Sequence, residues 1–310
     1  MGFLKPKAWF QGGCEKYNKI NNSRIVKQGN LCFFNTFKIL SLKLLLGKPV
    51  AQKIYQRIKP KPIKIAIIIL TNELSTISYL NSKIKKFSEF QITAEIIRLD
   101  ENIAENQLLN KIDEINERKD IRGIFIEMPL PKQINPLNVL SKISPNKDIE
   151  GLNPLNLGKI LYGDEFIVPS TAKAVIELLD YYEIPIEGKN VVVIGRSIIV
   201  GKPLSLLLLN RNATITICHS KTKNLKEITK NAEILICAIG KANYINRSFI
   251  RENSIVIDIG TNYVNGKLFG DVHFEDVKDV VSAITPVPGG IGPITTAITI
   301  ENCFKLCSLD

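Results

Sequence analysis

From about residue 41 onward, apolar positions alternate between strand-like and helical spacing. Residues 63–70 (IKIAIIIL) form a continuous β-branched run, as expected of a strand covered on both faces. Residues 93–99 and 123–127 read as two further strands. Between and after them, 50–58, 75–87, 104–116 and 135–143 read as helices; in the third, Leu108, Leu109, Ile112 and Ile115 share one side. Met128-Pro-Leu-Pro131 breaks the chain into a loop. A second series begins near Pro169. Helix 171–182 keeps Val175, Ile176, Leu179 and Tyr182 in register, and Gly188 precedes strand 190–194. Helix 202–210, strand 214–218, helix 224–231 and strands 234–238 and 254–259 follow. This alternation predicts an α/β fold of parallel sheets with right-handed crossovers, in two lobes with a cleft between them.

Composition narrows the functional classes. The net charge is +11, but residues 1–40 hold seven Lys or Arg against the single acid Glu15, so more than half of the excess lies there. No helix concentrates cations with interleaved aromatics, and no nucleic-acid partner is expected. Residues 31–47 are apolar only in patches, interrupted by Asn35, Lys38 and Lys43, so no membrane span is expected either. The basic, acid-poor stretch 1–38 has neither period and no small-residue cleavage site. It reads as an organellar transit peptide or, preferably, as a segment upstream of the true start with no folded role; the protein is otherwise expected in the cytoplasm. Two histidines and six cysteines without a C-x-x-C pair give no metal-ligand spacing, so no metal site is expected. The cysteines read as free thiols, buried where they lie in apolar runs.

The strand at 190–194 runs into Gly195-Arg-Ser-Ile-Ile-Val-Gly201-Lys-Pro203. This is not the usual three-glycine fingerprint. Its physics still suits a dinucleotide: Gly195 leaves the strand at a φ open to glycine, a helix N-terminus follows to receive phosphate, and Pro203 fits that helix's first turn. The next strand ends Cys218-His-Ser-Lys221 with no acid for the ribose hydroxyls. Arg196, Ser220 and Lys221 suit a 2′-phosphate instead, which favours NADP over NAD.

Four motifs together resemble the methylenetetrahydrofolate dehydrogenase/cyclohydrolase family: Lys147-Asp-Ile-Glu-Gly151, the 195–203 turn, Cys218-His-Ser-Lys-Thr-Lys-Asn-Leu225, and Pro286-Val-Pro-Gly-Gly-Ile-Gly-Pro293. The resemblance runs from about Leu42 to the C-terminus. It implies a folate-binding lobe over 39–168, a Rossmann-type NADP domain over 169–292, and a C-terminal helix within 293–310 that returns to the first lobe. It also implies a homodimer acting on tetrahydrofolate one-carbon derivatives, in one-carbon metabolism that feeds purine biosynthesis. Hydride would pass from 5,10-methylenetetrahydrofolate to NADP, and the methenyl product would be hydrolysed to 10-formyltetrahydrofolate.

By the same resemblance, Tyr79 and Lys83 match the family's Tyr-x-x-x-Lys, whose spacing puts both on one helix face. Tyr79 would stack on the pterin and Lys83 would serve as acid/base. Pro288, Gly289 and Gly290 would lie against the folate. Gly195, Arg196, Ser197, Gly201, Ser220 and Thr261 would hold the cofactor. Smaller departures occur at Leu46, Ala172, Ile198, Ala242 and Thr261, and two acidic ones bear on the chemistry. Glu127 stands for the family's Gln in the Pro-Leu-Pro loop, and Glu150 stands for the Asp that grips the pterin. A carboxylate at 127 would hold the Lys83 ammonium charged, or would itself take a proton or share one with Lys83. Hydride transfer needs mostly orientation, whereas cyclohydrolysis needs a tuned acid/base, so the change bears more on the second activity. A dehydrogenase alone, or a non-catalytic homologue that binds NADP or folate, is the alternative.

Overall fold

The structure, a computed structural model, describes residues 42–71 and 74–308, with the backbone alone at 74–76, 78 and 79. The leader 1–38 lies outside the described residues. Strand β1 (Lys43–Leu44) leads into helix α1 (Gly47–Gln56). Then come β2 (Ile63–Ile69), α2 (Leu74–Glu89), β3 (Ile92–Arg98), α3 (Glu105–Glu117), β4 (Gly123–Ile126), α4 (Pro136–Lys142) and α5 (Pro154–Leu161). The second series is α6 (Ser170–Tyr181), β5 (Asn190–Ile194), α7 (Gly201–Leu209), β6 (Thr214–Cys218), α8 (Leu225–Thr229), β7 (Ile234–Cys237) and β8 (Ile255–Asp258). It continues with the hairpin β9 (Asn262–Val264) and β10 (Lys267–Phe269), then α9 (Phe274–Val277), β11 (Ala283–Ile284) and α10 (Ile291–Leu306).

The smaller sheet is parallel, in the order β3-β2-β4. Its central strand β2 is buried at six of seven positions, which explains the uninterrupted isoleucines. Helix α3 lays Leu108, Ile112 and Ile115 against this sheet's core. Asn135 and Asn153 each accept the N–H two residues on, with proline next in sequence, and so start α4 and α5.

The larger sheet is also parallel, in the order β1-β11-β8-β7-β5-β6. Successive strands β5 and β6 pair, and the chain then crosses to put β7 on the other side of β5. The turn leaving β5 therefore sits where strand order reverses, the usual ligand crevice of an open parallel sheet. One element crosses the expected division of the chain. Strand β1, from the 39–168 segment, forms the edge of this sheet by pairing with β11.

Helix α10 begins at Ile291, two residues before its expected start, and is mostly buried. Ile294, Ala297, Ile298, Ile300 and Cys303 are all buried. It packs on α6 and α1. Its Asn302 donates to the carbonyls of Ile149 (3.0 Å) and Val168 (3.3 Å), tying the helix to the first lobe. Cys218, Cys237, Cys303 and Cys307 are free and buried; Cys14 and Cys32 lie outside the described residues. No helix among the described residues is long and apolar enough to cross a membrane.

Candidate active site

The first part of the site grows from α2. Residue 79 is one turn before Lys83 on this helix, while the Tyr79 side chain lies outside the described residues. Lys83 is 7% exposed, a rare state for a lysine, and its Nζ lies 4.6 Å from the centroid of the Phe125 ring on β4. It lines a cavity of about 330 Å³ with Lys48, Tyr55, Ser82, Lys86, Pro293 and Thr296.

Glu127 follows β4. Its backbone N–H donates to Ile68 (3.0 Å), which extends the strand pairing by one residue and fixes where the side chain starts. Burial pushes its carboxyl up from the ordinary range; Lys83 pulls it down and Glu150 pushes it up again. Glu127 Oε2 is buried and accepts no hydrogen bond among the described groups.

Glu150 is aimed by the rest of its own motif. Lys147 donates to the carbonyls of Ile115, Asn116 and Arg118 at the end of α3 (3.1, 2.6 and 2.7 Å). Asp148 is 2% exposed and accepts from the backbone of Asn153 (2.7 Å) and the side chain of Asn156 (2.9 Å). Gly151 has φ +70°, and a Cβ there would lie 2.4 Å from the Val168 carbonyl carbon. Only Glu150 is left for chemistry. Thr299 of α10 donates to its Oε1 (2.8 Å), and the Ser170 hydroxyl bonds both. Burial raises the Glu150 carboxyl, and the Lys83 charge and the two hydroxyls oppose that. Lys83, Glu127 and Glu150 are thus one electrostatic cluster, drawn from α2, the end of β4 and the loop before α5.

The second part is the turn after β5. Gly195 has φ +135°, and a Cβ there would meet the Ala238 carbonyl oxygen at 2.3 Å. A Cβ on Gly201 would lie 2.1 Å from the Gly195 carbonyl oxygen. Neither position admits a side chain, so backbone is held where a phosphate needs it. The Ser197 hydroxyl accepts the Val200 N–H (3.1 Å) and steadies the turn. Gly195, Arg196, Ser197, His219, Ser220 and Lys241 are among the residues around a cavity of about 340 Å³. Its charged lining groups are cationic, and no acid stands at the end of β6, so the residues present fit a dinucleotide with an extra phosphate on its ribose.

The third part is the Pro-Gly loop. Pro288, Gly289 and Gly290 border a cavity of about 270 Å³ together with Asp258, Gly260 and Thr261. Thr261, expected with the cofactor residues, thus lines this space and not the one around Arg196. Pro293 and Thr296 line both this cavity and that of Lys83, so the two adjoin at the first turns of α10. Gly47 closes the loop from behind: its N–H donates to Gly289 (2.8 Å), and a Cβ on it would lie 1.8 Å from the Gly290 oxygen.

Sequence reasoning missed several residues that hold these parts. Thr299, Ser170 and Asn302 position Glu150 and its loop. The signal was polar residues inside an otherwise apolar helix, which need partners when buried. Asp258 and Asp271 are buried carboxylates. Asp258 accepts the N–H groups of Gly260, Asp271 and Val272 (2.9, 3.0 and 2.9 Å). Asp271 accepts those of Ile239, Gly240 and Lys241 (2.5, 3.2 and 2.9 Å). Together they fix the loops that leave β7 and β8 beside two of the cavities.

The chain is similar to known proteins along most of its length. The family model for the catalytic domain of tetrahydrofolate dehydrogenase/cyclohydrolase matches residues 45–150, and the model for its NAD(P)-binding domain matches 169–309. The bifunctional protein FolD of Thermodesulfovibrio yellowstonii is 45% identical over 280 residues, covering 87% of this chain and 98% of that protein. The crystal structure of the bifunctional enzyme FolD from Campylobacter jejuni superposes with a TM-score of 0.80 at 37% identity, covering 87% of this chain and 99% of that one. The Trypanosoma brucei enzyme, solved with NADP cofactor and inhibitor, has a TM-score of 0.79 at 30% identity, covering 86% and 98%. With a buried lysine on one side, a side-chain-free turn on the other, and agreement along nearly the whole length of these relatives, the chain belongs to the tetrahydrofolate dehydrogenase/cyclohydrolase family.

Proposed function

We propose that the protein oxidises 5,10-methylenetetrahydrofolate to 5,10-methenyltetrahydrofolate with NADP, then hydrolyses the product to 10-formyltetrahydrofolate. One observation carries this reading. The cavity of the buried Lys83 amine adjoins the cavity between the Pro-Gly loop and Thr261, so an acid/base group and a loop of the nucleotide lobe face neighbouring spaces. When bound, NADP supplies the oxidant, because its nicotinamide accepts a hydride.

The residues divide the remaining work. Backbone N–H groups at 195–201 take the phosphates, and Arg196 and Ser220 take the charge on the ribose. Pro288, Gly289 and Gly290 let main chain approach the folate, and Thr261 borders the nicotinamide side. Tyr79 stacks on the pterin, and Glu150, held by Thr299 and Ser170, orients its donor edge. Lys83 moves the proton of the attacking water. Its amine is buried beside the carboxyls of Glu127 and Glu150, whose charges govern how firmly it holds its proton. Glu127 stands beside it.

A non-catalytic binder would leave the assembled cluster around Lys83 without a use, and that alternative is not favoured. The relatives' organisms support a cytoplasmic protein, and the family resemblance supports a homodimer. The test is direct. Purified protein given methylenetetrahydrofolate should form NADPH faster with NADP than with NAD, and should consume methenyltetrahydrofolate without either cofactor. Failure of both activities would overturn the assignment.

A further inference from the structure

The cluster at Lys83 has a charge problem. If all three groups are ionised, one ammonium faces two carboxylates, and the buried site carries a net negative charge. An uncompensated buried charge is strongly unfavourable, and the inexpensive remedy is to bind a proton. The hydrogen bonds decide which group takes it. Glu150 has hydroxyl partners in Thr299 and Ser170, which favour its ionised form. Glu127 Oε2 is buried with no donor directed at it among the described groups. A carboxylate oxygen without a donor bears the full cost of desolvation, whereas a protonated one brings its own O–H.

We infer that Glu127 stands in the active protein as a neutral carboxylic acid, a hydrogen-bonding neighbour of Lys83 that does the work of an amide and switches the amine off when it ionises. The inference rests on the proposed cyclohydrolase reading for its kinetic consequence, but not for its structural one. The charged and titratable groups acting on Glu127 are Lys83 from α2 and Glu150 from the loop before α5. Behind Glu150 stand Asp148 and the Cys303 thiol of α10, itself held protonated by burial. The Tyr79 side chain on α2 lies outside the described residues. Burial and Glu150 both favour the protonated form of Glu127, in line with the geometry.

The consequence is a pH limb. With Glu127 protonated, the cluster is neutral overall, as it would be with glutamine. In that neutral cluster a single carboxylate faces the Lys83 ammonium, which can still release its proton. Once Glu127 ionises, a second negative charge strengthens the hold on that proton, and the amine no longer frees itself to act as a base. Cyclohydrolase should then fall by about tenfold per pH unit above the ionisation. Glu127 is therefore a positioning residue whose proton sets the state of the catalytic amine.

The test compares wild type with Glu127→Gln. Wild type should lose cyclohydrolase above the limb while the variant's profile stays flat there, so the ratio of variant to wild type should rise by about tenfold per pH unit. NADP affinity should not change at any pH. A variant that is tenfold or more faster at every pH would mean that Glu127 is ionised throughout, and would overturn the inference; so would an unchanged profile. An infrared difference spectrum of the two proteins, with ¹³C-labelled glutamate, decides the matter without any activity. A carboxylic-acid carbonyl band at neutral pH that is absent from Glu127→Gln supports the inference, and its absence from wild type refutes it. If wild type has no cyclohydrolase, the hydrolytic part of the proposed function fails while the infrared result still settles the protonation of Glu127.

Discussion

At the turn 195–201 the chain itself forms the cradle, whereas around Lys83 three side chains from three separated segments form it. The turn depends on sterics: two glycines at which a single methyl would strike a carbonyl at 2.1 and 2.3 Å. The cluster depends on charge: two carboxyls raised by burial against one amine. A site made of backbone changes little unless its glycines change. A site made of charges can keep its positions and still alter its proton count, as Glu127 is inferred to do. Both acidic departures from the family pattern fall in the catalytic half.

Removing one half should leave the other working. The largest effect is expected from Lys83→Met, which keeps most of the buried volume and removes the amine. Loss of an acid/base group lowers turnover by roughly 10²–10⁴-fold, so cyclohydrolase should fall by that amount in the methenyltetrahydrofolate assay. NADP affinity, read by fluorescence titration, should stay within about twofold, because Lys83 is outside the nucleotide cavity. A matching loss of NADP binding would mean that the two halves are one cooperative unit. The converse change is Gly201→Ala. Overpacking against backbone costs about 1–3 kcal/mol, roughly a ten- to hundredfold weaker complex. The dehydrogenase should lose that much in kcat/KM for NADP while the cofactor-free hydrolysis persists. Equal loss of both activities would sink the comparison.

The same contrast explains how much was legible in the sequence. Strands β5 and β6 have the bounds that their apolar runs predicted, and most helices lie within a few residues of expectation. Local period and local stop signals suffice there. Helix α8 starts one residue late because Asn224 adopts a left-handed conformation, and it ends two residues before its expected end. Helix α5 went unread although Asn153-Pro154 is a helix-start signal, and so did the hairpin β9–β10 around Asn265-Gly266. Strands β1 and β11 are two residues each and exist only through pairing across the sheet. At the site, the two glycines of the turn could be found from spacing alone. Thr299 and Ser170, 149 and 20 residues from Glu150 along the chain, acquire their role only when α10 packs on α6. No period or motif encodes that meeting.

The nucleotide half is not wholly free of charge, and Asp258 marks how far the contrast holds. Its carboxyl is 3% exposed and pushed up to about 7, chiefly by burial, although three backbone N–H groups and their hydrogen bonds pull the other way. The neighbouring Asp271 adds to the rise. The folded chain thus binds this proton more tightly than the unfolded chain, in which a carboxyl titrates near about 4. The stability it contributes is complete below that value and is lost as pH climbs through about 7, since the slope follows the extra proton held by the native state. Asp258→Asn keeps the size and one acceptor but no titration. Against the variant, wild type should lose on the order of 4 kcal/mol between the two pH limits in denaturant unfolding curves, while NADP affinity at low pH remains close to that of wild type. Its effect on activity is the smallest of the three, because the side chain supports the loops and does not form the cradle. If NADP affinity instead tracks the ionisation of Asp258, charge governs the nucleotide half as well, and the division between a steric site and an electrostatic one fails.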